Sequence, residues 1–297
     1  IELDTLRTGN LDTIFINLPR IAYEAKQDDD KFFENLSNKV NLAISALKIK
    51  RNEIHSRLFE DRLLPLLNFR FKDESYFRLE HATNALSYVG LPEATEIHTN
   101  TKISTKNGIK FAQNIIQHLH EILIKTTDST GFRWLLRQSP SQYWIERFIQ
   151  LDNKRFHRNK KIESVKQFQF YNTSNINSDI SLPISEKIRV ESHYHKFLSG
   201  GHIMTIPISE TSNSVDSLKK LTNKICNESI GLFTYAHDLT YCIQCKQTVK
   251  GIPKRCSVCN TTQNIAYFNK LQSCYRSFKN LSKSERFEIR NRYKFTI

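Results

Sequence analysis

The sequence predicts an α/β fold closed at its carboxyl end by a small cysteine module. Three observations carry this. The stretch "LDTIFINLPRIAYEA" reads as a buried strand, a turn at Pro19 and the start of a helix. Short apolar strands at "FQFYN", "GHIMTIPI" and "IGLFTYA" alternate with helical patterns over 184–195 and 213–225, the order expected of a sheet with helices laid on it. Two Cys-x-x-Cys pairs then follow within 18 residues, Cys242 to Cys259.

In chain order, the strand and turn of 11–25 lead into "DDDKFFENLSNKVNLAISALKIKRNEIHSRLFEDRLL". Its acids lie at the front and its apolar residues recur every three or four, so it reads as one long amphipathic helix. "SYFRLEHATNALSYVGL" has no clear period and ends at a Gly90-Leu-Pro turn. "TKNGIKFAQNIIQHLHEILIKTTDSTG" is a second amphipathic helix, closed by Gly131. "FRWLLRQSP" reads as a strand and "SQYWIERFIQLDNKRF" as a helix. A polar, basic stretch, "NKRFHRNKKIESVKQ", interrupts the pattern before the alternating elements, the cysteine module and a final helix, "SKSERFEIRNRY". We expect an α/β body over 1–238, the cysteine module over 239–262 and a basic segment over 263–297.

The chain has 297 residues, 39% apolar and 25% charged, an ordinary balance for a globular protein with a sizeable core. No run approaches the roughly 18 apolar residues of a membrane span. The start, "IELDTLRTGN", carries two acids and no apolar block, unlike a signal peptide. It also lacks Met, so the chain reads as a processed or partial product. The expected location is the cytoplasm.

The formal net charge is +14, which favours polyanionic partners. From Cys242 to Ile297 twelve Lys and Arg face only Glu285 and Glu288. Aromatic residues Tyr267, Phe268, Tyr275, Phe278, Phe287, Tyr293 and Phe295 are interleaved among them. Cations neutralise phosphates, and rings can stack on unpaired bases. The candidate contacts are Lys254, Arg255, Arg276, Lys279, Arg286, Arg290, Arg292 and Lys294, with a second patch at Lys154, Arg155, Arg158, Lys160 and Lys161. Arg286, Arg290 and Lys294 recur every four residues and should share one face of the last helix. RNA, including a ribosomal particle, is the expected partner class. The bland alternative is a solvated basic tail.

The cysteines read Cys242-x2-Cys245-x10-Cys256-x2-Cys259. Each pair presents two sulfurs from one tight turn, and two such turns facing each other supply the four thiolates of a closed structural Zn²⁺ site. Redox cysteines are the alternative. A site with four protein ligands staples a fold and does no chemistry. Cys226 reads as a small buried residue on a helix. His193 and His195 have no carboxylate or cysteine beside them in sequence, which argues against a metal there.

Several stretches together resemble anaerobic, class III ribonucleoside-triphosphate reductases, of the glycyl-radical family. These are "RTGNLDTIFINLPRIAYEA", "YFRLEHATNALSYVGLPEATEIHT", "GFRWLLRQSPSQYWIERFIQLDNKRF", "YNTSN", "FLSGGHIMTIPI" and the cysteine module. The resemblance covers nearly the whole chain, but only the C-terminal half of a full reductase. It implies part of a ten-stranded α/β barrel with a C-terminal zinc ribbon. It also implies a radical relay, in which a backbone glycine near the C-terminus, activated by a separate iron–sulfur enzyme with S-adenosylmethionine, passes its radical to a mid-barrel cysteine. The family segment after the zinc module reads like Arg-Val-Thr-Gly-Tyr, or with cysteine before the glycine, and here the stretch is Leu271-Gln272-Ser273-Cys274-Tyr275. Tyr275 matches the tyrosine, Cys274 stands where the glycine belongs, and no glycine lies between Gly251 and Ile297. The family's mid-barrel cysteine precedes the segment matching Gly9-Asn10-Leu11 and is not visible in the eight residues before it.

The expectation is therefore a catalytically degenerate homologue that binds a polyanion, with Cys274 as a degenerate radical site. Two alternatives stand beside it. One is a reductase component working with a partner chain that carries the radical glycine. The other is a protein-only scaffold or regulator.

Overall fold

The computed structural model describes residues 6–71, 74–138, 142–156, 170–172, 175–176, 181–210, 214–271 and 274–297. Strand β1 (Asn10–Asn17) runs directly into helix α1 (Leu18–Ala25). The corner is made by Asn17, whose side chain accepts the Arg20 N–H, and by Pro19 in the first helical turn, where a missing N–H costs nothing. Helix α2 (Asp29–His55) starts at Asp28, which accepts from the Lys31 N–H, with Asp29 and Asp30 at the positive end of the helix dipole. Phe32, Leu36, Val40, Ala43, Ile44 and Leu47 form its buried stripe. A π turn over Ser56–Glu60 follows, and the left-handed Arg62 (φ 54°) ends the helical run short of Leu64.

A two-stranded hairpin, β2 (Arg70–Phe71) with β3 (Glu74–Ser75), leads to β4 (Thr83–Val89), α3 (Leu91–Thr99), α4 (Lys106–Thr130) and β5 (Arg133–Leu136). After α5 (Gln142–Phe156) come α6 (Ile184–His195), β6 (Met204–Pro207), α7 (Val215–Cys226) and β7 (Phe233–Ala236). Strands β1, β4 and β5 form a parallel sheet in the order β1-β4-β5, and β6 pairs in parallel with β7. Backbone bonds from Gly200 N–H to Leu136 O (2.8 Å) and Gln138 N–H to Gly201 O (3.1 Å) tie the two sheets together. The described residues thus contain five parallel strands, an α/β arrangement; the ten-stranded barrel is not seen among them.

The largest core lies between the β1-β4-β5 sheet and helices α1 to α4. It is built from residues such as Phe32, Leu36, Leu86, Leu91, Ile115, Ile116 and Leu119, each 0–1% exposed. Arg51 is buried beside it, donating to the carbonyls of Ala82 (3.1 Å) and Leu79 (2.5 Å) with its guanidinium 3.9 Å from the centre of the Phe132 ring. Gly90 opens α3 at φ +74°, and a Cβ there would come within 2.5 Å of the Pro19 ring. Only glycine fits both demands.

Three expectations are corrected. The aperiodic stretch before Gly90 contains a strand, β4, whose residues from Asn84 to Val89 are all buried; Asn84 and Ser87 inside it hide the apolar run. The Gly90-Leu-Pro turn is the start of helix α3. In "FQFYN" the first two residues lie outside the described residues, and Phe170–Asn172 are buried without being a strand.

The carboxyl-terminal part is a four-stranded antiparallel sheet in the order β11-β10-β8-β9, followed by α8 (Lys283–Asn291). Its strands are β8 (Leu239–Cys242), β9 (Thr248–Lys250), β10 (Ile265–Leu271) and β11 (Cys274–Ser277). Because β8 pairs with β10, one sheet runs across the 262/263 boundary. Helix α8 opens with a reciprocal capping box between Ser282 and Glu285. Cys226, expected to be buried, is exposed at the end of α7, because Leu221 and Ile225 take the inward face.

Candidate metal centre and its surroundings

Each Cys-x-x-Cys sits in the same turn. Lys246 N–H returns to Cys242 O (2.8 Å), and Asn260 N–H returns to Cys256 O (3.0 Å). Lys246 and Asn260, the residues after the second cysteine of each pair, are both left-handed at φ 59°. The two turns face each other, so that all four Sγ atoms lie within 4.8 Å of one another. Cys242 Sγ is 3.6 Å from Cys259 Sγ, and Cys245 Sγ is 3.6 Å from Cys256 Sγ. A tetrahedron with Zn–S bonds of about 2.3 Å has edges of about 3.8 Å. The N–H groups of Cys259 and Val258 lower the Cys256 thiol below its ordinary value. Donor type, number and spacing fit a closed tetrahedral site for a metal such as zinc.

Behind this centre Asp238, 2% exposed, precedes β8. It pairs with Arg292, accepts from Lys294 Nζ (2.6 Å) and accepts from Asn269 Nδ2 (2.7 Å). Burial works against its ionisation, but the Arg292 charge and the bonds from Lys294 and Asn269 outweigh burial and hold the carboxyl below its ordinary value. Lys294 also reaches Glu210 Oε1 (2.6 Å).

These contacts revise the expected nucleic-acid surface. Arg292 is 7% exposed and donates to Lys270 O (2.8 Å), so it is an internal pin and not a phosphate contact. Arg276 is paired with buried Glu285. Lys294 lies beyond the end of α8 and cannot share a helical face with Arg286 and Arg290. Arg286 donates to Lys279 O (2.9 Å), and both Arg286 and Arg290 lie over the Phe278 ring. Among the interleaved aromatics Phe295 is buried and Phe287 packs on Phe170 at 4.8 Å, leaving Tyr275 and Tyr293 exposed. Lys254, Arg255, Lys279 and Arg290 remain exposed, as does Lys154; Arg155 is exposed but bonded to Glu24 (3.0 Å). Arg158, Lys160 and Lys161 lie outside the described residues. Cys274 is the first residue of β11, paired with Leu271 across the hairpin, and it is exposed.

Two buried clusters are not evident from the sequence. At the carboxyl ends of β1 and β4, where parallel sheets place ligands, Asp152 is 0% exposed. It accepts from Asn17 Nδ2 (2.8 Å), Arg20 Nε (2.6 Å) and the Tyr171 hydroxyl (2.9 Å). Nearby Glu93 is pushed up to about 7 by burial, against hydrogen bonds from Asn172. Burial and then the Asp152 charge raise the Tyr171 phenol. The available signal is polar residues at the ends of apolar runs: Asn17, Glu93 and Asp152.

In the second cluster Glu191, His195 and His202 converge, so a carboxylate does stand beside His195, contrary to expectation. Glu191 and His195 are a helical i, i+4 pair, a readable signal. His202 Nε2 lies 3.2 Å from Glu191 Oε2. Gly231 N–H donates to His195 Nδ1 (3.2 Å), which places the ring's proton on Nε2, the atom nearest Glu191. A metal on Nε2 would need that proton moved to Nδ1, against Gly231. The cluster is a buried polar group in which burial lowers the His195 imidazole to about 4.

Fold and site together define a parallel α/β body followed by an antiparallel sheet that carries a four-cysteine centre. The profile of the anaerobic ribonucleoside-triphosphate reductase family matches residues 2–295. The chain belongs to that family. It is 22% identical over 273 residues to the anaerobic ribonucleoside-triphosphate reductase of Enterobacteria phage T4, covering 86% of this chain and 43% of that one. It is 29% identical over 214 residues to the enzyme of the same name from Haemophilus influenzae, covering 66% of this chain and 29% of that one. A solved anaerobic ribonucleotide reductase superposes with a TM-score of 0.84 at 22% identity, over 98% of this chain and 46% of that one. The Thermotoga maritima anaerobic ribonucleotide reductase solved in complex with dATP and CTP superposes at 0.79 and 21% identity, over 95% and 45%. The chain spans less than half the length of these relatives. Among the described residues no helix is long and apolar enough to cross a membrane.

Proposed function

We propose that the chain is a non-autonomous member of its family: it keeps the fold and a structural zinc, stores no radical, and acts in the cytoplasm as a binding component of a larger reductase-type assembly. Position 274 carries this reading. Where the family resemblance puts a radical glycine, Cys274 stands in an exposed hairpin strand. A persistent backbone radical needs a position without a side chain and shelter from water and foreign thiols. An exposed cysteine offers neither. The test is to incubate the chain with an iron–sulfur activase of the family, S-adenosylmethionine and reductant. No glycyl-radical EPR doublet and no deoxynucleotide should form; a doublet would overturn the proposal.

A second reading, binding of RNA or a ribosomal particle, is favoured by the cations that stay exposed around the zinc loop and α8: Lys246, Lys250, Lys254, Arg255, Lys279, Lys283 and Arg290. Changing Lys254, Arg255 and Arg290 together to Ala should flatten the dependence of log Kd on log salt by about one for each phosphate no longer neutralised. An unchanged slope removes this reading.

A further inference from the structure

A cavity of about 380 Å³ lies between the cysteine loop and α8. Its apolar walls come from four elements: Ile252 beyond β9, Tyr267 of β10, Phe278 of the short turn Phe278–Asn280 and Ile289 of α8. Tyr267 is fixed by its hydroxyl, which donates to Pro253 O (3.3 Å). Arg292 also lines the cavity. Two of its nitrogens are used, on Lys270 O and on Asp238, but its Nε–H is buried without an acceptor. A buried donor left unpaired is costly and calls for an acceptor. The mouth is cationic. Arg290 lines it, Lys254 and Arg255 follow Ile252 on the same loop, and Lys279 follows Phe278; all four are exposed. No Asp or Glu occurs from Leu239 to Ser284.

We propose that this cavity takes one unpaired base of a single-stranded RNA, while the cations at its mouth hold the flanking phosphates. The inference deepens the RNA reading and rests on it. A base has two apolar faces and a polar edge. The faces match the ring and alkyl walls, and the edge supplies the acceptor that Arg292 Nε–H lacks. The guanidinium of Arg290, 5.6 Å from the centre of the Phe278 ring, adds a plane on which a base can stack. Size limits the occupant to one base: small-molecule sites span roughly 300–1,000 Å³, and this cavity is near the lower end. Polarity sets its orientation. Asp238 lines the cavity, with its charge already met by Arg292, Lys294 and Asn269. The neutral ring therefore belongs inside and the anionic phosphates at the mouth.

The test uses a short chain of abasic ribose phosphates carrying a single central 2-aminopurine, and the same chain with no base. The phosphates are equal, so any difference in Kd belongs to the base. The full protein should bind the base-carrying chain about tenfold more tightly, as one stacked base allows. The 2-aminopurine fluorescence should be quenched on binding, and both chains should show the same slope of log Kd on log salt. Ile252→Trp fills the cavity from an exposed position and should bring the tenfold ratio to about one. Phe278→Leu keeps an apolar side chain but no ring, and should lower the ratio by a second route. Leu232→Trp, exposed and outside the cavity, should leave the ratio at its wild-type value. Zinc content and circular dichroism verify that each variant is folded. Equal affinity for the two chains, or a ratio that survives in both Ile252→Trp and Phe278→Leu, overturns the proposal; steep salt dependence in that case leaves the RNA reading standing without it. A free 2-aminopurine nucleotide that binds as tightly as the chain makes the cavity a small-molecule site and overturns the proposal too. Binding of neither chain removes the RNA reading and the proposal with it.

Discussion

The body around β1, β4 and β5 and the sheet around β8 and β10 are held together differently. The first buries a continuous set of Leu, Ile and Phe from four helices and three strands. The second has a small apolar cluster of Leu271, Leu281 and Ile289, and otherwise depends on four cysteines and the Asp238–Arg292–Lys294 network. A large core tolerates a single local defect; a small module that depends on four cysteines and one buried charge network does not. The chain's basic charge is concentrated in the second region, and part of it is used inside as fastening.

The comparison can be broken most severely at the metal. Cys256→Ser should release zinc and unfold the carboxyl-terminal sheet, since structural zinc in small modules contributes roughly 10 kcal/mol or more. Metal analysis should give one zinc per wild-type chain and none in the variant, and limited proteolysis should cut after Asp238 while the β1-β4-β5 body survives. Zinc-free protein with an intact carboxyl-terminal sheet would refute the contrast.

Next comes the buried pair. Asp238→Ala strands the Arg292 charge and should cost about 3–5 kcal/mol, unfolding the carboxyl-terminal region first in urea. Leu86→Ala should cost a similar amount, about 2–5 kcal/mol, in the body and leave zinc affinity unchanged. The pair also has a pH signature. The Asp238 carboxyl is held below its ordinary value in the folded protein. Its contribution is therefore fully present above the unfolded value of about 4 and is lost as pH falls through the lower folded value. Acid should weaken the wild type more than Asp238→Asn, measured as urea midpoints from about pH 6 downward. The smallest effect is expected from Ser282→Ala, which removes half of the capping box of α8 and should cost about 1 kcal/mol, read as faster amide exchange in α8 alone.

Much of this is legible in the sequence because the physics involved is local. The caps and apolar stripes of α2 and α4 and the twin cysteine spacing each depend on residues a few positions apart. Strand β4 is not legible because Asn84 and Ser87 break its apolar run, and their burial is decided by β1 and β5 on either side. The basic segment misleads for a similar reason. Arg292 and Arg276 look like surface charge until Asp238 and Glu285, 54 and nine residues away, are brought beneath them. The clusters around Asp152 and Glu191 are likewise made by the fold.

The meeting of Pro19 and Gly90 bears on how this chain can be recombined. The proline ring occupies the space that any side chain at position 90 would need. The two positions are one unit split across about seventy residues of sequence. A chimera with a family relative whose junction falls between residues 20 and 89 joins one parent's Pro19 to the other's residue 90. It should fold only where that parent also has glycine there, so viable crossovers should gather outside that interval.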